Sequence, residues 1–243
     1  MAIHNLARWL SYRLMSNPSI VLAISLGLLG AALAALAARA ALRFLHKPEP
    51  TQAMWASGMA MGAVAMGIET AVYAGVVSSG LLEAYVFVSA ALVGLLSLGC
   101  THVIRVARFA KAYAAFILAA CALLAVASFS TPLSASMVSD GIITASPPLT
   151  LLVLSSVITG PATVVLLAAS ALSLMRSHRW QNLLIIGGAL VLGAGGTLYI
   201  ASFPVFLYYA EFIGIILLFG GVVSLPKPTA HDAKVGAPTA MTR

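Results

Sequence analysis

Long apolar segments separated by short polar connections make up most of this chain. A helix needs about 20 residues to cross roughly 30 Å of hydrocarbon, and seven segments reach that length. The predicted spans are 18–45, 52–77, 80–104, 107–130, 148–176, 179–201 and 204–225. The pattern therefore predicts an all-α integral membrane protein built as a bundle of seven transmembrane helices.

The two ends of the chain differ from this predicted bundle, which covers 18–226. Apolar residues recur at helical spacing in 1–17 with polar residues opposite, which is typical of a short helix lying at the membrane interface. A cleavable signal peptide is the alternative, and it would leave basic residues outside. Residues 227–243 are predicted to be a flexible cytoplasmic tail.

Composition agrees with this class, and charge adds an orientation. Hydrophobic residues make up 61% of the chain and charged residues 8%, with a net charge of +7. With the amino terminus outside, the outer side holds only Arg8 and Arg13. The remaining bases lie on the inner side: Arg39, Arg43, Lys47, Arg105, Arg108, Lys111, Arg176, Arg179, Lys227, Lys234 and Arg243. Because basic residues favour the cytoplasmic side, this orientation and a multi-pass place in the plasma membrane are predicted.

The sequence also contains an internal similarity. The stretch 62–75 aligns with 188–201, and four pairs are in register: Gly62 with Gly188, Ala63 with Ala189, Gly67 with Gly193, and Tyr73 with Tyr199. Spans 1–3 would then be related to spans 5–7, with span four as a linker. Such a parallel 3+1+3 repeat has its pseudo-twofold axis along the membrane normal. Chance similarity is the alternative, because Ala, Gly and Leu dominate both halves.

Seven spans with the amino terminus outside resemble two families in architecture. Microbial rhodopsins carry retinal on a lysine of the seventh span, but 204–225 contains no lysine. Sugar transporters of the SWEET type are built as three plus one plus three spans, but their Pro–Gln loop motif is missing. The resemblance covers the topology and matches no diagnostic motif of either family.

Two of the acids inside the predicted spans lie at equal depth in the outer half. Glu69 and Glu211 each lie about seven residues from the outer end of their span, roughly 10 Å deep at the helical rise. Polar residues at a similar level complete a predicted outward-opening pocket: Thr70, Tyr73, Tyr85, Tyr199, Ser202, Tyr208 and Tyr209. If spans two and seven face each other, the two carboxyl groups would share at least one proton near neutral pH. The alternatives are structural hydrogen bonds for the acids and interfacial anchoring for the tyrosines.

Small residues predict close helix packing and one irregularity. Gly58 and Gly62 form a small-xxx-small pair, and span six is rich in glycine, which is typical of helix association in membranes. Pro161 follows Gly160 at the middle of span five and removes a backbone hydrogen bond. A kink is predicted there, with a break that lines a ligand site as the alternative.

The residues present exclude several functions and leave two. No nucleophile–base pair, metal-ligand spacing or phosphate-binding loop occurs, so neither an enzyme nor a cofactor or metal site is predicted. The bases form no stripe with aromatics, which argues against nucleic acid. The sequence favours a transporter or a ligand or ion sensor with proton- or cation-coupled carboxylates. The alternative is a non-catalytic subunit of a larger membrane complex, for example a respiratory one, with partners or a second copy bound through Gly/Ala-rich faces and lipid around the rest.

Overall fold

The computed structural model describes part of the chain, in eight segments. These are residues 18–46, 48–104, 106–134, 137–139, 142–143, 147–177, 180–200 and 204–223. The predicted interfacial helix at 1–17 and the predicted tail at 227–243 lie outside these segments.

The described residues form seven helices and one minimal strand pair. The helices are α1 (Pro18–His46), α2 (Pro50–Tyr73), α3 (Ser79–Ile104), α4 (Ala107–Ser130), α5 (Leu149–Ser177), α6 (Gln181–Ile200) and α7 (Pro204–Val223). Between α4 and α5, β1 (Val138–Ser139) pairs antiparallel with β2 (Ile142–Ile143). The prediction of a helical protein is confirmed, with one helix at each predicted segment.

Four of the described helices are long and apolar enough to cross a membrane. The qualifying stretches are Ala23–His46, Ser79–Thr101, Ala107–Ser130 and Leu149–Arg176. The membrane character of the chain is therefore supported by length and composition, and seven crossings stay a prediction. Helix α2 carries Glu69 four residues before its end, and this carboxyl group lowers the hydropathy of the segment.

Helix α3 lies at the centre of the bundle. Half of its span is buried, against 22–28% for the other three spans. On one side its residues join a core with α1, α2, α5, α6 and α7, and on another they join a core with α2, α4 and α5. Groups that other helices direct at the buried faces of α3 are therefore enclosed by protein.

Helix α4 shows the opposite arrangement. Only Tyr113, Ile117, Leu124 and Ser128 of this helix are buried, and they form one narrow stripe towards the bundle. Large apolar side chains such as Leu123 cover its exposed face. Since water would disfavour such a face and lipid would not, this surface fits a hydrocarbon environment.

The predicted irregularity in α5 leaves the helix continuous. It runs without interruption from Leu149 to Ser177 with Pro161 inside it, so the backbone is not broken there, while a kink stays a prediction. Both Gly160 and Pro161 are exposed, and a Cβ added at Gly160 would meet nothing within 4 Å. These two residues face away from the core, which argues against a role in lining an interior site.

Several of the glycines predicted to bind partners are used inside the chain. A Cβ at Gly58 would meet Leu96, and one at Gly62 would meet Leu33 and Leu92. A Cβ at Gly188 would lie 2.6 Å from Gly214 O and 2.6 Å from Leu218 N of α7. These glycines therefore allow α1, α2 and α3, and separately α6 and α7, to approach closely.

The packing order is compatible with the predicted repeat without testing it. Helix α2 packs on α1 and α3, and α6 packs on α5 and α7, so each middle helix of a triplet contacts both of its neighbours. Consecutive helices in a bundle generally pack in this way. The repeat therefore stays a prediction.

Candidate buried carboxylate site

Glu69 lies in the interior of the bundle. Its side chain is only 1% exposed, and the phenol of Tyr85 on α3 donates a hydrogen bond to Glu69 Oε1 at 2.6 Å. Tyr85 is itself 9% exposed. A hydrogen bond in an apolar interior is stronger than the same bond in water, because the surroundings screen it less. The pair therefore forms a strong polar contact inside an apolar core.

The turn between α2 and α3 brings these two residues to the same depth. Gly75 has a positive φ of 87°, and its N–H bonds Val72 O at 2.9 Å while Val76 N–H bonds Ala71 O at 2.9 Å. This pattern is the Schellman motif, which ends a helix at a residue in the left-handed region and favours glycine there. The chain then reverses within a few residues. Glu69, four residues before the end of α2, thus faces Tyr85, six residues after the start of α3.

Tyr73 extends the polar region along α2. It lies one helical turn after Glu69, on the same face, and is 7% exposed. Thr70, also predicted at this level, has a different role, since its hydroxyl donates to Met66 O at 2.7 Å on its own helix. The described part of the site therefore consists of one carboxyl group and two phenols in a closed core. Its predicted opening to the outside stays a prediction.

Glu83, near the start of α3, is the other acid in this part of the chain, and it accepts a hydrogen bond from the backbone. The backbone N–H of Leu133, in the connection after α4, donates to Glu83 Oε1 at 3.4 Å. Leu133 is buried. Glu83 thus ties the connection between α4 and α5 to α3, and it is only partly buried, unlike Glu69.

For the predicted site residues on α6 and α7, the structure describes the backbone only. The backbones of Tyr208, Tyr209 and Glu211 belong to α7, and that of Tyr199 belongs to α6. Helix α7 packs against α6, and its buried residues further along belong to the same core as Tyr73. The pairing of Glu69 with Glu211 therefore stays a prediction.

Tyr85 is predicted at the level of the acids, but the sequence pattern does not identify it as the hydrogen-bond partner of Glu69. The chain contains the information needed for this pairing. When a tight turn joins two helices, residues at equal distances from that turn lie side by side. The same sixteen-residue separation recurs at the other end of α3, where the buried hydroxyls of Ser97 and Tyr113 lie 2.7 Å apart. Hydroxyl partners can thus be sought by counting outward from each turn.

The described site places a carboxyl group, which is able to bind a proton or a cation, beside the phenol of Tyr85. Among the described residues, no group of three or more His, Cys, Asp or Glu could hold a metal ion. No family model, curated protein or solved structure matches the chain. The site itself therefore carries the functional argument.

Proposed function

We propose that this protein is a small multi-pass membrane protein that acts as a transporter or as a ligand or ion sensor, with Glu69 as a proton- or cation-coupled carboxylate. The observation that carries the proposal is the buried hydrogen bond between Tyr85 and Glu69, 2.6 Å long. Glu211 is proposed as the second coupled carboxylate, with Tyr73, Tyr199, Tyr208 and Tyr209 around the pair. A catalytic role is not proposed.

The argument starts from the energy of a charge in the membrane interior. An ionised carboxylate there costs several kcal/mol unless its charge is compensated. The segment 48–101, which includes α2 and most of α3, contains no Lys, Arg or His, so these helices offer Glu69 hydroxyl groups and no fixed positive charge. In this proposal, a proton or a bound cation compensates the charge of Glu69. Its arrival and departure would change the charge of the core, which is the event that a coupled transporter or sensor needs.

The carboxyl group can be followed directly by infrared spectroscopy of the purified full-length protein in lipid during a pH titration. We expect the difference spectrum between the wild type and Glu69→Gln to contain a protonated-carboxyl band that titrates and that belongs to Glu69. Tyr85→Phe should shift the frequency of this band because the carboxyl group loses a hydrogen-bond donor. Glu211→Gln should also change the band if the two carboxyl groups are coupled.

Two matched variants serve as controls for this experiment. Glu83→Gln removes a partly buried carboxyl group close to Tyr85 in sequence, and Tyr113→Phe removes a buried phenol from the other end of α3. Both should leave the band unchanged. In liposomes with a pH-sensitive dye inside, wild-type protein should couple a proton or cation gradient to a dye response that Glu69→Gln abolishes. A dye response that survives Glu69→Gln, or a difference spectrum that lacks this band, would contradict the proposal.

A second candidate function is that of a non-catalytic subunit of a larger membrane complex. Exposed alanines favour it, because no helix among the described residues covers them: Ala31, Ala35 and Ala38 on α1, and Ala112, Ala115, Ala119 and Ala122 on α4. Small residues allow close approach of helices in membranes. Extraction in a mild detergent followed by sizing separates the two functions. A lone bundle supports the transporter or sensor, and a stable assembly with other chains supports the subunit.

The proposed orientation has the amino terminus outside and the carboxyl terminus inside. Val106 and Trp180 are exposed at the connections that would face the cytoplasm, and Ser134 is exposed at the connection that would face outward. In a background lacking Cys100 and Cys121, we expect a membrane-impermeant thiol reagent added to intact cells to label Ser134→Cys only. A tag after Arg243 should likewise be inaccessible from outside. Labelling of Val106→Cys or Trp180→Cys without permeabilisation would reverse the orientation.

A further inference from the structure

We infer that the groove where α1 ends and α2 begins binds the headgroup of an anionic phospholipid that also carries hydroxyl groups, of the phosphatidylglycerol class. The groove has a volume of about 430 Å³. Its lining comes from the last turns of α1 and the first turn of α2: Arg39, Leu42, Arg43, His46 and Gln52. This site is separate from Glu69 and does not depend on the proposed function.

The charged part of the groove suits a phosphodiester. Arg39 and Arg43 are one helical turn apart and both exposed, so their guanidinium groups can reach one anion from the same side. Arginine presents paired N–H donors that match two phosphate oxygens. The His46 ring donates from Nδ1 to Leu42 O at 2.8 Å, which orients the ring and leaves Nε2 for a ligand.

Gln52 adds a requirement for a hydrogen-bond donor on the ligand. Its Nε2 donates to Glu49 Oε2 at 3.1 Å. Its Oε1 is buried and has no hydrogen-bond partner, and a buried acceptor in this condition costs free energy until a donor reaches it. A glycerol hydroxyl next to a phosphate supplies such a donor. A simple phosphate monoester, ionised and acceptor-rich, supplies a poorer one.

The apolar part of the groove indicates a lipid and not a free phosphate. Leu42 lies in the lining, and Leu45, further along α1, is 75% exposed. The candidate span Ala23–His46 ends at this same place, where the hydrocarbon of a bilayer gives way to headgroups. A ligand with a charged head and acyl chains satisfies both parts of the surface at once. Anionic lipid surfaces attract basic segments of this kind.

The test measures thermal unfolding of the full-length protein in detergent with added lipids of identical acyl chains. We expect phosphatidylglycerol to raise the unfolding temperature, and phosphatidylcholine and inorganic phosphate to have little effect. The double variant Arg39→Gln/Arg43→Gln should bind phosphatidylglycerol at least roughly tenfold more weakly, because two charge-assisted contacts are lost. Since both arginines are exposed, this variant should keep its unfolding temperature in the absence of lipid.

The matched control is Arg108→Gln/Lys111→Gln, which removes two exposed bases at the start of α4, away from the groove. It should keep the response to phosphatidylglycerol. Gln52→Leu should reduce the preference for phosphatidylglycerol over phosphatidic acid, because the acceptor for the hydroxyl group is gone. If the control variant loses as much phosphatidylglycerol binding as Arg39→Gln/Arg43→Gln, the effect is general electrostatic attraction, and the proposed site is wrong. A stabilisation by inorganic phosphate equal to that by lipid would overturn the lipid assignment.

Discussion

Gly188→Ala is expected to unfold the protein at a markedly lower temperature than the wild type by forcing α6 away from α7. A Cβ at this position would lie 2.6 Å from Gly214 O and 2.6 Å from Leu218 N. Both are backbone atoms, so no side-chain rotation can make room, and one helix has to shift relative to the other. Overpacking of this kind typically costs about 1–3 kcal/mol, and thermal unfolding in detergent measures it.

Substitutions at three other glycines should give smaller losses of stability, or none, which allows the predicted effects to be ranked. Gly67 and Gly160 have no atom within 4 Å of an added Cβ, so Gly67→Ala and Gly160→Ala should be neutral or slightly stabilising, since alanine favours the helix. Gly58→Ala should fall between, because its first obstacle is the movable side chain of Leu96 at 2.7 Å. If Gly188→Ala unfolds at the same temperature as Gly67→Ala, the close contact between α6 and α7 is refuted.

The second large effect concerns the contribution of the Glu69–Tyr85 hydrogen bond to the stability of the protein. Glu69→Leu leaves the buried Tyr85 hydroxyl without this acceptor, and Tyr85→Phe leaves the carboxyl group without this donor. Each single change is expected to lower the free energy of unfolding by about 1–3 kcal/mol, because it removes a hydrogen-bond partner from a buried polar group. The double variant removes both groups together. It should be less destabilised than the sum of the single variants, by about 1 kcal/mol or more.

Reversible unfolding in mixed detergent gives the four free energies of this cycle. Leu118 on the exposed face of α4, paired with Tyr85→Phe, provides a control cycle between groups that share no contact. The Leu118→Ala effect should add to that of Tyr85→Phe. Strict additivity in the Glu69–Tyr85 cycle would show that the hydrogen bond contributes nothing to folding.

The positions of the helices were predictable because they follow from local constraints. In hydrocarbon every backbone N–H and C=O must be bonded within the segment, so a long apolar run has to be a helix. The seven predicted segments and the seven described helices therefore correspond. The acid in α2 was equally visible, since a carboxyl group in such a run is rare.

The direction in which each residue points was decided by the tertiary structure. A helix in water shows its buried face by the polarity of the opposite face, but a helix in lipid is apolar on both sides. The sequence alone therefore does not show that Gly160 and Pro161 point outward, or that Gly188 contacts the backbone of α7.

By itself the sequence determined a helical membrane protein, the cluster of bases at certain helix ends, and the presence of a carboxyl group within α2. Only the packing of α2 against α3 decided that Tyr85 is the donor to Glu69, and only the meeting of α1 with α2 placed Gln52 beside the arginines. The physical reason is that helix formation depends on bonds between residues four apart, whereas both sites depend on contacts between side chains of different helices.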